Sequence, residues 1–260
     1  MLILLSPAKS LDYETPVPND LPLSQPAHLK ESAQLIAVLK EKTSVEIGEL
    51  MDLSDTLATL NATRYATWRA KPTAKTVQKQ ALLAFNGDVY DGLNAKSLTA
   101  DDLAWANDHL CILSGLYGVL KPLDALQPYR LEMGTTLVTE RGSNLYQFWG
   151  SKVTDHLNAQ LKQQASDVVV NLASQEYFKS VQRKGLNACI IDCAFEDCKN
   201  GQYKVISFFA KKARGLMARY AVQNRISDAE ALKKFSVDGY KFAAKESTTD
   251  KWVFRRKVAA

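Results

Sequence analysis

Seven polar or charged side chains follow short apolar runs or proline-fixed turns, where a buried strand would deliver them to a loop. They are Ser6, Lys9, Asp88, Tyr90, Tyr129, Arg130 and Lys179. Ligand-binding groups of α/β proteins collect where strands end. Lysine and arginine bind phosphate, and a carboxylate or a phenol can supply an acid or a base. We therefore predict that these residues share one concave site.

A structural interpretation stays open at several of these positions. Lys9 is either a phosphate ligand or a partly buried structural lysine, and Asp88 either faces the site or caps a turn. Ser6 and Lys9 also form an S-x-x-K pattern. The further motifs of serine acyl-enzymes, such as KTG, are absent, and so we predict no acyl-enzyme chemistry.

A second group of cations lies on a helix predicted over residues 208–225. At 100° per residue they fall within an arc of roughly 160°, opposite an apolar face. They are Lys211, Lys212, Arg214, Arg219 and Arg225. Gly215 and Ala218 lie within the same arc, and we expect a phosphate backbone to approach closely there. A break at residues 226–228 and a second short helix give residues 208–235 a helix-turn-helix-like order.

Charge is divided unevenly along the chain. Residues 1–178 carry 15 Lys/Arg and 20 Asp/Glu, whereas residues 179–260 carry 18 Lys/Arg and 8 Asp/Glu. The formal charge therefore changes from −5 in the first part to +10 in the last third. This asymmetry favours a polyanionic partner, nucleic acid above all, and a solvated basic surface is the alternative.

The 260-residue chain has the composition of a globular protein with a sizeable core. It contains no run of about 18 apolar residues and no signal peptide pattern, so we predict a cytoplasmic protein with no membrane partner. Cys189, Cys193 and Cys198 lie close together in the sequence. Strand packing accounts for them better than a three-thiolate metal site or a redox-sensing thiol, and we predict neither a metal nor a cofactor.

The apolar runs also predict the elements that position these side chains. Buried strands are predicted near residues 2, 83, 112 and 170. Asn200-Gly201 lies between two apolar segments and predicts a hairpin that pairs residues 189–195 with residues 203–209. A late pair of strands is predicted at residues 240–243 and 252–255. Buried strands together with a hairpin indicate a mixed sheet.

Apolar residues at helical spacing predict the helices. They cover residues 27–42, 45–52, 54–68, 100–109 and 144–164. We therefore predict one compact α/β domain over residues 1–260, in which helices surround the mixed sheet and the last third is basic. Residues 12–26 contain four prolines and are predicted to form a surface arm.

Six segments, spread nearly from end to end, carry a resemblance to a known family. They are SPAK (6–9), FNGDVYDGL (85–93), the glycine- and proline-containing stretch 110–134, LYQFWG (145–150), NLASQEYFKSV (171–181) and FFAKKARGLMARY (208–220). Together they resemble the YaaA family of peroxide-stress-resistance proteins. The resemblance implies a cytoplasmic bacterial protein that limits oxidative damage and binds DNA through a helix-hairpin-helix unit, and it implies no reaction. The usual glycine-containing hairpin is missing from residues 208–235.

We predict that the protein binds double-stranded or structured DNA in a positively charged cleft, without base-sequence specificity. In this hypothesis Lys9, Arg130 and Lys179 grip backbone phosphates together with the cations of the basic helix. The alternative is an enzyme that acts on a phosphate-bearing small molecule or a damaged nucleotide in a pocket of Lys9, Asp88, Arg130 and Lys179. A cleft wide enough for a duplex favours DNA binding, and a closed pocket favours the enzyme.

Overall fold

Twelve strands and ten α-helices are present in the computed structural model, which describes residues 1–18 and 21–257. The strands are β1 (Leu2–Leu5), β2 (Ser10–Leu11), β3 (Lys79–Gln80), β4 (Phe85–Asn86), β5 (Leu110–Ser114), β6 (Gly118–Leu120), β7 (Ala125–Leu126), β8 (Val168–Asn171), β9 (Cys189–Lys199), β10 (Gln202–Lys204), β11 (Lys241–Phe242) and β12 (Lys251–Lys257). The helices are α1 (Leu29–Lys40), α2 (Ser44–Met51), α3 (Asp55–Thr67), α4 (Ala81–Ala84), α5 (Asp88–Leu93), α6 (Ala100–His109), α7 (Leu145–Trp149), α8 (Lys152–Gln163), α9 (Gln175–Phe178) and α10 (Ser207–Gln223).

The main sheet has eight strands and is mixed, as predicted. Its order is β11-β12-β9-β8-β1-β5-β6, with β10 paired to β9. The inner strands β5, β1, β8, β9 and β12 run parallel to their neighbours, whereas β6, β10 and β11 are antiparallel additions. Every residue of β1 and β5 is buried, which explains why these strands read as continuous apolar runs. The chain forms a single compact α/β domain.

The connections out of β1 and β8 run in opposite directions across the sheet. The chain leaves β1 towards β5 on one side, and it leaves β8 towards β9 on the other side. A crevice opens beyond the carboxyl ends of two such strands, because their loops turn away from each other, and this is where ligands of α/β proteins bind. The topology therefore marks the ends of β1 and β8 as the place to look for a site.

Helix α10 packs closely on α5 because glycine occupies the contact on both helices. A β-carbon at Gly215 would overlap the carbonyl oxygen of Val89, and one at Gly92 would overlap the carbonyl oxygen of Lys212. Such backbone contact is available only where a side chain is missing. The packing fixes the first turn of α5 beside the middle of α10.

Three of the predicted elements are wrong. The run near residue 83 is not a strand but the helical turn α4, since a four-residue apolar run fits a buried helix as well as a buried strand. The helix predicted over residues 144–164 is split into α7 and α8 by Gly150, whose φ is 53°. The second hairpin strand ends at Lys204, because α10 begins at Ser207.

The helix-turn-helix-like segment contains one α-helix. After α10 the chain turns, and Ala229–Lys234 forms a 3-10 helix whose first turn is capped by Asp228. In its described parts, 12–18 and 21–26, the proline-rich arm is exposed or half-buried except at Pro26, and the Tyr13 hydroxyl donates to the Leu126 carbonyl oxygen at 2.6 Å. Asn19 and Asp20 of this arm lie outside the described residues. Among the described residues, no helix is long and apolar enough to cross a membrane.

Candidate functional site

A cavity of about 350 Å³ lies beyond the carboxyl ends of β1 and β8, at the crevice that the topology marks. Its walls come from the loop after β1, the start of α5, the helix α9, the middle of α10 and one residue of the segment between β7 and α7. The polar side chains that line it are Ser6, Lys9, Ser10, Asn86, Asp88, Tyr90, Glu132, Ser174, Glu176, Tyr177, Lys211 and Arg214. This volume lies in the range of cavities that hold small organic ligands.

Ser6 makes hydrogen bonds that link the segments at the base of the cavity. Its Oγ accepts a hydrogen bond from the backbone N–H of Ser174 at 2.8 Å and donates to Ser174 Oγ at 3.3 Å. The Tyr90 hydroxyl donates to the Ser6 carbonyl oxygen at 3.0 Å. Burial raises the pKa of Tyr90 well above its ordinary value, so the phenol remains a donor. Ser6 and Tyr90 therefore join the β1 loop, the β8 loop and α5.

Two ion pairs lie at the mouth of the cavity. Lys211 Nζ is 3.7 Å from Asp88 Oδ2, and Lys9 Nζ is 3.1 Å from Glu132 Oε1. The lysines are 52% and 68% exposed, so each can leave its partner at little cost and contact another anion. Arg130 also donates to Glu132 Oε1, from Nε at 3.3 Å and from Nη2 at 3.2 Å.

Two lining residues each carry a buried polar atom that has no protein partner within the described residues. Arg214 Nε and Glu132 Oε2 are both shut off from solvent and make no hydrogen bond. No carboxylate pairs with the Arg214 guanidinium in the described part of the chain, and burial lowers its pKa from the ordinary value. Buried polar atoms are normally satisfied, and each exception calls for an explanation such as an unseen ligand.

Six of the predicted residues line this cavity together. They are Ser6, Lys9, Asp88, Tyr90, Lys211 and Arg214. Arg130 is not part of the lining, and it shares Glu132 Oε1 with Lys9. Tyr129 is buried in the core, with its hydroxyl 2.7 Å from Ser114 Oγ. Lys179 is exposed just after α9, next to the cavity, and its Nζ lies 4.8 Å from the centre of the Tyr146 ring.

The solvent-facing arc predicted for α10 is wrong at its centre. Gly215 and Ala218 are buried, and Gly215 lies against α5, so a phosphate backbone cannot approach there. Arg219 Nη1 donates to the carbonyl oxygens of Leu93 and Asn94, each at 2.9 Å. Arg225, just past the helix, pairs with Asp102 at 2.6 Å.

Only part of the predicted basic helix therefore remains open. Lys211 and Lys212 are exposed, whereas Arg214 lies inside the cavity and Arg219 and Arg225 are engaged with the protein. Arg219 and Arg225 stabilise the attachment of α10 to the domain. The two lysines are the members of the set that can reach an external phosphate.

Six polar lining residues were missed from the sequence, namely Ser10, Asn86, Glu132, Ser174, Glu176 and Tyr177. The rule that selected Lys179, a polar residue just after a buried strand, applies equally to Ser174 and Glu176. Glu176 also accepts a hydrogen bond from the Gly134 backbone N–H at 2.9 Å, and this bond holds the Glu132 segment against α9. Glu132 lies in an irregular segment and carried no signal beyond its closeness to Arg130.

The lining is balanced in charge, unlike the positively charged cleft that was predicted. It contains three cations, Lys9, Lys211 and Arg214, and three carboxylates, Asp88, Glu132 and Glu176. Across residues 1–18 and 21–257, no group of three His, Cys, Asp or Glu side chains is placed to hold a metal ion. A ligand with both a negative group and a hydrogen-bond donor suits such a lining.

Fold and site together define an α/β protein with a ligand-sized cavity at the switch point of a mixed sheet. A sequence profile of the family described as peroxide stress protein YaaA matches residues 1–246. The chain belongs to this family. It is also 59% identical over 259 residues to a UPF0246 protein of Paracidovorax citrulli, and 59% identical over 258 residues to one of Ralstonia pickettii. The first alignment covers 100% of both chains, and the second covers 99% of this chain and 100% of the relative.

Proposed function

We propose that this protein acts in the peroxide stress response by binding the phosphate backbone of DNA without reading its base sequence. The proposal is carried by the unpaired lysines of the C-terminal third. Within the described residues, ten exposed lysines of this third have no carboxylate oxygen within 4.0 Å of the ammonium nitrogen. They are Lys179, Lys184, Lys199, Lys204, Lys212, Lys234, Lys241, Lys245, Lys251 and Lys257.

Exposed ammonium groups without protein partners favour nonspecific binding to a polyanion. Each phosphate that they neutralise releases a condensed counterion, which drives association and makes it dependent on salt. Contacts to phosphate carry no base information, so we expect affinity to change little when the DNA sequence is scrambled. We place this activity in the cytoplasm, where bacterial DNA lies.

The test is a salt titration of binding to a short duplex of arbitrary sequence. The first variant replaces the lysines at and beside the cavity mouth, Lys9, Lys179, Lys211 and Lys212, with alanine. The control variant removes four exposed lysines of the acidic part, Lys30, Lys71, Lys75 and Lys162. Both variants lose the same charge, and circular dichroism and thermal unfolding establish that both are folded.

The first variant is expected to flatten the slope of log affinity against log salt by about two to four units, since each phosphate contact contributes about −0.9. The control variant is expected to change the slope by less than one unit, because it alters net charge without removing contacts. Equal slopes for both variants would show that the DNA contacts lie away from the cavity mouth. An intact chain that does not bind the duplex at low salt contradicts the proposal.

A second candidate is an enzyme that acts on a phosphate-bearing small molecule or a damaged nucleotide, and the unpaired Arg214 guanidinium favours it. A guanidinium with no carboxylate partner in a ligand-sized cavity is suited to an incoming phosphate, which it can bind in a bidentate manner. Lys9 and Lys211 stand at the mouth, where they can neutralise further phosphate oxygens. Asp88 is available in the same cavity as an acid or a base.

The second candidate is tested by calorimetric titration of the intact chain with inorganic phosphate and with AMP. Arg214→Gln is expected to weaken binding about ten- to a hundredfold, because it removes a charged hydrogen bond. Arg183→Gln is the matched control, since Arg183 is exposed and pairs with Asp192 outside the cavity lining. Equal affinities for these two variants would contradict phosphate binding at Arg214.

A further inference from the structure

Two side chains of the cavity lining each carry a buried, unsatisfied polar atom, and the two atoms are of opposite kind. Arg214 Nε is a donor without an acceptor, and Glu132 Oε2 is an acceptor without a donor. The two side chains line the same cavity and carry opposite charges, yet no nitrogen of Arg214 comes within 4.0 Å of an oxygen of Glu132. A direct ion pair would satisfy both groups, and none is formed between them.

Glu132 is held in place by its other oxygen. Lys9 and Arg130 both approach Oε1, at 3.1 Å and 3.2 Å, while no donor reaches Oε2. The backbone that follows Glu132 is also fixed, since the Gly134 N–H donates to Glu176. The position of Oε2 is therefore set before any ligand arrives, as in a binding site whose polar groups are pre-organised.

Besides its polar side chains, the lining has apolar and aromatic surface. Pro7, Ala8 and Val89 contribute aliphatic surface, and Tyr90 and Tyr177 contribute rings whose hydroxyl groups are buried. Burial raises the pKa of Tyr177 well above its ordinary value, so its phenol stays neutral. A lining with polar groups at defined points and apolar surface between them fixes the orientation of a small ligand.

We propose that this cavity binds a phosphate ester that also carries an amino group, with the phosphate at Arg214 and an amino hydrogen donated to Glu132 Oε2. The inference rests on the second candidate function, because it names the class of ligand for that same cavity. An anionic group alone would leave Glu132 Oε2 unsatisfied, and an amine alone would leave Arg214 without a counter-ion. One ligand with both groups satisfies both atoms.

The amino group can belong to a nucleobase or to a small aliphatic amine, and two matched ligand pairs distinguish these sources. AMP is compared with purine riboside 5′-monophosphate, which lacks the 6-amino group. Aminoethyl phosphate is compared with ethyl phosphate. Calorimetric titration of the intact chain measures all four dissociation constants, so the first readout needs no variant.

We expect one amino-bearing ligand to bind about ten- to a hundredfold more tightly than its partner, the effect of one hydrogen bond to a charged group. In Glu132→Gln this ratio is expected to fall to about one while the partner ligand keeps its affinity. Arg214→Gln is expected to weaken both members of the pair. Thermal unfolding of each variant establishes that a lost ratio does not come from a lost fold.

Two results separate the failure of this inference from the failure of the function on which it rests. Equal affinities within both ligand pairs, with binding still dependent on Arg214, would overturn the amino-group inference and leave the phosphate site in place. If none of the four ligands binds the intact chain at millimolar concentration, both the inference and the second candidate function are wrong.

Discussion

The contact between α5 and α10 predicts that Gly215→Ala is strongly destabilising. A β-carbon at Gly215 would overlap the Val89 carbonyl oxygen and would lie 2.7 Å from the Leu93 backbone nitrogen, whereas ordinary contacts of a β-carbon lie at 3.4–4 Å. The obstructing atoms belong to the backbone, so no side-chain rotation relieves the overlap. The two helices must separate, by about 0.7 Å for the Leu93 contact alone and by more for the Val89 oxygen.

The cost follows from the dispersion energy across this interface. A gap of about 0.5–1 Å forfeits a quarter to a half of each contact's attraction, and overpacking a filled core typically costs about 1–3 kcal/mol. Because both helices move as bodies, we expect a loss at the upper end, about 3 kcal/mol of unfolding free energy. For a chain of this length such a loss lowers Tm by about 6–12 °C.

Urea unfolding followed by circular dichroism measures this loss, and Gly48→Ala in α2 is the matched control. A β-carbon at Gly48 meets its nearest neighbours at 3.5 Å, so alanine fits there. Its higher helix propensity should then stabilise the chain by about 0.5–1 kcal/mol. If Gly215→Ala proves as stable as the intact chain, the close packing of α10 on α5 does not position the cavity wall.

Three further predictions concern pH and ion pairs. Burial lowers the pKa of His156 to about 4, below its ordinary value of 6.5, so the unfolded chain binds more protons than the folded chain between these pH values. The unfolding free energy should therefore fall by about 2–3 kcal/mol as the pH drops from 6.5 to 4. His156→Gln should remove most of this fall. Arg256→Gln should cost about 3–5 kcal/mol in denaturant unfolding, because it leaves the fully buried Asp197 without its cation; a loss below 1 kcal/mol would contradict this. Arg225→Gln, which breaks the more exposed pair with Asp102, should cost at most about 1 kcal/mol and less in high salt, and an equal loss at low and high salt would refute the argument.

The sequence predicts the sheet because its inner strands are apolar on both faces. The runs that became β1, β5 and β8 are short, bounded by turn residues and fully or almost fully buried. The run that became α4 has the same appearance and, like β1 and β8, only four residues, a length at which apolar composition does not distinguish strand from helix. The break between α7 and α8 depends on the positive φ of Gly150, which helical spacing alone does not reveal.

The sequence predicts a site residue only where a local pattern marks it, such as a polar residue directly after a buried apolar run. Ser6, Lys9 and Asp88 follow buried runs and line the cavity as expected. Periodicity gives the angle of Gly215 on α10 but not the neighbour that covers it, and so the arc that was expected to face solvent lies against α5. Glu132 reaches the cavity from an irregular segment, and only the tertiary structure brings it there.

The central position of β1 affects the order in which the protein can fold. Ile3 pairs with Leu110 on one side and with Val170 on the other, so β1 is synthesised long before either neighbour exists. Contacts over such long separations form slowly, and meanwhile an apolar strand has two open edges. The hydrogen bond between Ser6 and Ser174 spans the same interval. During synthesis the cavity is therefore complete only after residue 214, the last of its lining residues, has emerged, and a chain interrupted before residue 168 leaves an edge of β1 unpaired.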